Sequence, residues 1–140
     1  MTAGPALYLL DTNICVFVIN DRPGQVRGRM KERTDLGHTL SISSVTFHEL
    51  QYGIANSVQK AQNQQRLDGF VARLDVLDFG QTAAAIAADQ RARLKKLGQP
   101  IGPYDLLIAG HALALNAVLV TNNTGEFGRV EGLSVEDWSQ

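Results

Sequence analysis

The sequence predicts an α/β protein: a parallel or mostly parallel sheet flanked by helices. Two observations predict it. Short apolar or β-branched runs alternate with helix-patterned segments along the 140-residue chain, the signature of strand–helix–strand units. Four carboxylates also recur at element junctions. Asp11 and Glu126 follow strand-like runs, whereas Glu49 and Asp105 sit at or near helix starts. In open α/β sheets such positions converge on a cleft at the carboxyl ends of the strands.

In chain order, Ala6–Leu10 reads as a short buried strand, closed by Asp11-Thr12-Asn13, and Asn13–Val18 starts a helix. Asp21-Arg22-Pro23-Gly24 reads as a turn. Gln25–Arg33 is a basic helix and His38–Ile42 a second strand. Ser43 or Ser44 can N-cap a helix over Val45–Ile54. On that helix Phe47, Leu50 and Ile54 share an apolar face, and Val45, Glu49 and Tyr52 share another. Gln59–Leu74 is a further helix with Leu67, Phe70, Val71 and Leu74 as its core stripe, and Val76–Phe79 a short strand. Thr82–Leu97 is an alanine-rich helix ended by Gly98, with Pro100 just beyond. Pro103 suits the first position of a helix running to about Leu115. Ala117–Val120 is a strand ending at Thr121-Asn122-Asn123, and Leu133–Val135 the last strand. No repeat, low-complexity stretch or linker interrupts the chain, so residues 1–140 read as one domain.

Composition narrows the function classes. With 44% hydrophobic and 19% charged residues, the chain can bury a core without disulfides. Its apolar runs fall short of the ~20 residues that span a bilayer. The start MTAGPALYLLDT lacks a basic region, and Asp11 cuts its apolar stretch short, so neither a signal peptide nor membrane attachment is expected. Cys15 is the only cysteine. That rules out an intrachain disulfide and the common Cys/His zinc sites, and it suits a reducing cytoplasm. Net charge is −1, but Arg22, Arg27, Arg29, Lys31 and Arg33 crowd one segment. Arg91, Arg93, Lys95 and Lys96 crowd another just before Asp105. Such runs are commonly solvated helix faces; flanking an acidic cleft, they would also suit a phosphate backbone.

Clustered carboxylates repel one another and lose hydration, and a bound divalent cation is the usual compensation. All-oxygen ligands select hard ions, Mg²⁺ or Mn²⁺. Asp11, Glu49, Asp105 and Glu126 are therefore the candidate metal-binding and catalytic acids, with Asn13, Thr121 and Asn122 as candidates to orient them. Each also has a plain structural reading: an acid in a helix's first turn needs no function, and Asn and Thr form turns readily. His48 and His111 read as structural or surface groups, since a metal-bound water needs no His base. Cys15 reads as a small buried residue, Gly102 serves the turn before Pro103, and Tyr52 and Tyr104 either line the cleft or pack. No Gly-rich nucleotide fingerprint occurs.

The segments LLDTNI, SSVTFHEL, GPYDLLIAGHAL and VTNNTGEF, from Tyr8 to Trp138, resemble the PIN-domain ribonucleases and specifically the VapC toxins of bacterial VapBC toxin–antitoxin pairs. IGPYD and the closing VEDW look like the subgroup that cuts initiator tRNA in its anticodon stem-loop. The resemblance implies a PIN-like α/β/α sandwich with a central parallel sheet and a Mg²⁺- or Mn²⁺-dependent endoribonuclease that inhibits translation. Asp11, Glu49 and Asp105 would match the main metal-site acids, and Glu126 a fourth position that is often Asp. It also implies a homodimer held inactive by a VapB antitoxin, whose tail covers the cleft. The runs around Arg91, Arg93, Lys95 and Lys96 are candidates to contact RNA. Other tRNAs or ribosomal RNA loops stay open as targets. Two other classes stay open as well. A receiver-like signalling module would show paired acids near the first strand and a lysine after a late strand, which this chain lacks. The other is a binding-only relative without chemistry.

Overall fold

A computed structural model describes residues 4–22 and 24–140. Pro23, part of the expected Asp21–Gly24 turn, and the first three residues lie outside the described set. The elements run β1 (Leu7–Leu10), α1 (Thr12–Asn20), α2 (Gln25–Asp35), β2 (Thr39–Ser43), α3 (Ser44–Ala55), α4 (Lys60–Val71), β3 (Asp75–Leu77), α5 (Gln81–Lys96), α6 (Pro103–Leu115), β4 (Val118–Val120), α7 (Thr124–Phe127) and β5 (Ser134–Glu136). The strands form one sheet in the order β3-β2-β1-β4-β5, parallel at every pairing.

Alternation along β1 explains the layers. Tyr8 and Leu10 point into one apolar cluster with Ile14, Val18, Leu50 and Phe70, which packs α1 to α4 on that face. Leu9 points the other way, into a cluster with Leu94, Leu106, Ile108 and Phe127 from α5, α6 and α7. The result is the α/β/α sandwich expected. On the second face α5 and α6 pack closely at Gly110, where an added Cβ would lie 2.7 Å from Ala87 Cβ and 2.9 Å from its backbone.

The caps follow the local sequence. Ser43 caps α3 by accepting the Val45 N–H at 3.0 Å. Gly98, at φ +68°, ends α5 as anticipated, and Pro103 opens α6. Asn116 ends α6 in the left-handed conformation, at φ 53°. Two features differ from expectation. Helix α1 starts at Thr12, one residue early, because Asp11 itself is the cap and accepts the Thr12 N–H. Helix α7 is four residues long, too short to show a periodic stripe in sequence.

The chain runs from β1 outward to β2 and β3, then returns to the other side of β1 for β4 and β5. The order therefore reverses between β1 and β4, which is where ligands bind in such sheets. Leu10 pairs with Val120 across that boundary, so Asp11 and Thr121 leave the sheet side by side.

Candidate active site

Asp11 is 3% exposed and is held from two sides. Its Oδ1 accepts the Thr12 N–H and its Oδ2 accepts the Thr121 hydroxyl, each at 2.8 Å. Thr121 Oγ1 in turn accepts the Asn123 N–H at 3.0 Å. Burial pushes the Asp11 carboxyl above its ordinary value, the two hydrogen bonds oppose that rise, and the Glu49 charge adds to it. Glu49 arrives from α3, and its Oε1 accepts the Thr12 hydroxyl at 2.7 Å; that hydroxyl also lies 3.3 Å from Thr46 Oγ1. Glu126 stands in α7, where its Oε2 accepts Asn123 Nδ2 at 3.1 Å.

Asp105, in the first turn of α6, joins the other three acids. Burial raises its pKa first, then the charges of Asp11, Glu49 and Glu126 in turn, up to about 6. A carboxyl that feels three others at once marks their convergence. Among the described residues no Lys or Arg pairs with any of the four; the ion pairs are Arg27–Asp21, Lys31–Asp35, Arg33 with Glu32 and Glu136, and Arg93–Glu131. The cluster is thus uncompensated among the described residues, and its donors are all oxygen, which suits a hard divalent cation. As placed, no three His, Cys, Asp or Glu side chains among the described residues enclose an ion directly.

All four predicted acids come together, but the predicted supports shift. Thr121 holds Asp11 as expected. Asn13 and Asn122 are exposed and bond none of the acids; Thr12 and Asn123 take that place, with Thr46 beside the Thr12 hydroxyl. The signal for Thr12 was available, since an Asp–Thr pair opening a helix makes Asp11 the cap and turns Thr12 toward its neighbours. His111 is buried and its Nδ1 lies 2.8 Å from Ser43 Oγ, a structural tie between α6 and the cap of α3. Cys15 is fully buried, and Tyr52 and Tyr104 are exposed. Arg93 is turned inward, pairing with Glu131 at 3.1 Å and donating to the Arg129 carbonyl at 2.8 Å, whereas Arg91, Lys95 and Lys96 are exposed. A mainly apolar groove of about 290 Å³ opens beside Thr12 and Glu49, walled by Val16, Ile19, Leu50 and Ile54. No helix among the described residues is long and apolar enough to cross a membrane.

An all-parallel sheet with acids at its switch point defines an α/β protein with a ligand site at that point, and the PIN-domain family matches residues 8–133. The tRNA(fMet)-specific endonuclease VapC of Shigella flexneri is 47% identical over 94% of this chain and 98% of its own. Ribonuclease VapC2 of Rickettsia felis is 44% identical over 96% and 99%. Among solved structures, VapBC2 from Rickettsia felis bound to a promoter DNA fragment superposes with a TM-score of 0.90 at 43% identity, over 94% of this chain and 98% of that one. DNA-bound VapBC from Salmonella typhimurium gives 0.88 at 42% identity, over 95% and 98%. The chain belongs to the PIN-domain family and, within it, to the VapC ribonucleases.

Proposed function

We propose that this ribonuclease is the toxin of a VapBC-type toxin–antitoxin pair, a metal-dependent endoribonuclease that stops translation by cutting initiator tRNA in its anticodon stem-loop. The observation that carries the chemistry is the convergence of Asp11, Glu49, Asp105 and Glu126 with no pairing Lys or Arg among the described residues. Asp11, Glu49 and Asp105 would hold Mg²⁺ or Mn²⁺, with Glu126 acting directly or through water. When bound, the ion activates a water and stabilises charge on the phosphoryl oxygens. The chain's own part is orientation. Thr12 and Thr121 fix Asp11, Thr12 fixes Glu49, and Asn123 fixes Glu126. The tRNA reading is supported by the 47% identical tRNA(fMet)-specific relative.

The partner reading is supported by the solved VapBC complexes, in which the similar chain is held with its antitoxin. The apolar groove beside Thr12 and Glu49 offers a path by which an antitoxin segment reaches the acids. The protein would act as a homodimer in the cytoplasm. Total cellular RNA incubated with antitoxin-free protein tests this. Mg²⁺ or Mn²⁺ should give a single cut in one tRNA, absent with EDTA and absent with Asp11→Ala. Metal-independent cleavage, or equal cleavage by Asp11→Ala, overturns the site. A cut confined to another tRNA or to ribosomal RNA keeps the site and replaces the target.

A further inference from the structure

Of five Phe, three Tyr and one Trp in the chain, only Tyr52 and Tyr104 are exposed, at 65% and 48%. Both stand on the helices that carry candidate acids. Tyr104 immediately precedes Asp105 on α6, and Tyr52 follows Glu49 by one turn on α3. His48, also exposed, precedes Glu49 and shares a helix face with Tyr52 four residues on. The His48 and Tyr104 rings lie 5.9 Å apart between centroids, tilted by 42°. Two helices thus bring the His48 and Tyr104 rings together beside acid-bearing positions, with Tyr52 one turn further along α3.

We propose that Tyr104, backed by His48 and extended by Tyr52, is a stacking subsite for an unpaired nucleobase next to the scissile phosphate. The inference rests on the ribonuclease reading above and deepens it. Single-stranded and loop RNA is gripped by stacking its splayed bases on aromatic rings. The 5.9 Å separation is too short to sandwich a base, which needs ~7 Å, about twice the spacing of stacked bases. The base therefore stacks on the outer face of Tyr104. A second protein copy fits these rings less well. Glu49 and Asp105 directly follow His48 and Tyr104 on the two helices, and a dry protein interface would strip their hydration without pairing them. A stacked base leaves the acids open to water and cation.

The test is cleavage of a synthetic initiator-tRNA anticodon stem-loop in Mg²⁺ by wild type, Tyr104→Ala and Tyr104→Phe. Loop nucleotides are replaced one at a time by abasic residues. Tyr104→Ala should raise KM by roughly tenfold, the loss expected for one stacked base, with kcat little changed. Tyr104→Phe, which keeps the ring, should restore KM. One abasic position should raise the wild-type KM by the same factor and add nothing in Tyr104→Ala. Unchanged KM in Tyr104→Ala while wild type cleaves overturns the subsite alone. So does loss of activity accompanied by a dimer-to-monomer shift in solution mass, which assigns the rings to a second copy. If wild type leaves this stem-loop uncut, the same comparison is run on the loop it cuts in total RNA; no metal-dependent cleavage of any RNA by wild type removes the ribonuclease reading, and the subsite with it.

Discussion

The hydroxyl of Thr12 donates to Glu49 Oε1 at 2.7 Å, while the backbone N–H of the same residue donates to Asp11 Oδ1 at 2.8 Å. One residue at the start of α1 therefore fixes two acids that come from different elements. Thr12→Val keeps shape and the backbone bond but frees Glu49. Losing such a support to a metal-site acid typically costs about 10–100-fold in metal affinity or activity. We expect RNA cleavage to fall by that order and the Mg²⁺ requirement to rise, with Thr12→Ser retaining most activity. Initial rates across a Mg²⁺ titration check this, and a Thr12→Val protein with wild-type Mg²⁺ dependence would show that Glu49 needs no positioning.

Asp105 makes the metal-free protein pH-sensitive in a predictable direction. Its folded pKa is about 6 against an ordinary 3.8. Between those values the folded protein keeps a proton that the unfolded chain has lost, so acidification through pH 6 stabilises the fold and neutral pH removes that gain. In EDTA at pH 7, Asp105→Asn should melt higher than wild type, and the gap should narrow toward pH 5. Burial lowers the pKa of His111 and so acts in the opposite sense, but in both proteins, and the difference isolates the acids. Thermal melts at several pH values read the gap. A gap that widens on acidification would place Asp105 outside the field of the other three acids.

Gly110 is a packing requirement of α6. An added Cβ would meet Ala87 Cβ at 2.7 Å and its backbone N and Cα at 2.9 Å. Backbone cannot rotate away, so α5 and α6 must separate. The gain of about 1 kcal/mol in helix propensity from Gly to Ala is outweighed by an overpacking cost toward 3 kcal/mol or beyond. We expect Gly110→Ala to lower Tm by roughly 5–10 °C. Adding Ala87→Gly should recover part of the loss, since it removes the nearest of the three contacts.

Much of this architecture is legible from residues alone, and the exceptions have physical causes. The strands before Asp11 and Thr121 show as apolar runs, and Pro103 and Gly98 mark helix ends because their backbone conformations admit few alternatives. The sheet order is not written in any one strand; it follows from pairings such as Leu10 with Val120, which bring together residues far apart in sequence. Asp11, Asp105 and Glu126 are legible because each lies at a helix start, whereas Glu49 stands in the second turn of α3, past the helix start expected for it. Their supports are displaced by one residue from Asn13 to Thr12 and from Asn122 to Asn123. A helix start misplaced by a single residue rotates every side chain by about 100°, enough to exchange a buried support for an exposed neighbour. Arg93 shows the same limit, since nothing local distinguishes it from Arg91 until the 129–131 loop folds against α5.

That last distinction yields opposite expectations for neighbouring arginines. Arg91 and Lys95 are exposed one turn apart on α5 and are free to meet a phosphate backbone. Replacing both with Glu should weaken binding of tRNA to catalytically inactive Asp11→Asn protein. It should also reduce the slope of log affinity against log salt by about one to two, as expected for losing one or two phosphate contacts. Arg93 is committed to Glu131 and the Arg129 carbonyl. Arg93→Glu should therefore lower Tm, by breaking a tie between α5 and the segment before β5, and leave the salt slope near that of the parent. Binding isotherms at several salt concentrations, read beside thermal melts of the same proteins, separate the two effects. A salt slope that responds to Arg93 and not to Arg91 and Lys95 would move the RNA path off the outer face of α5 toward the 129–131 loop.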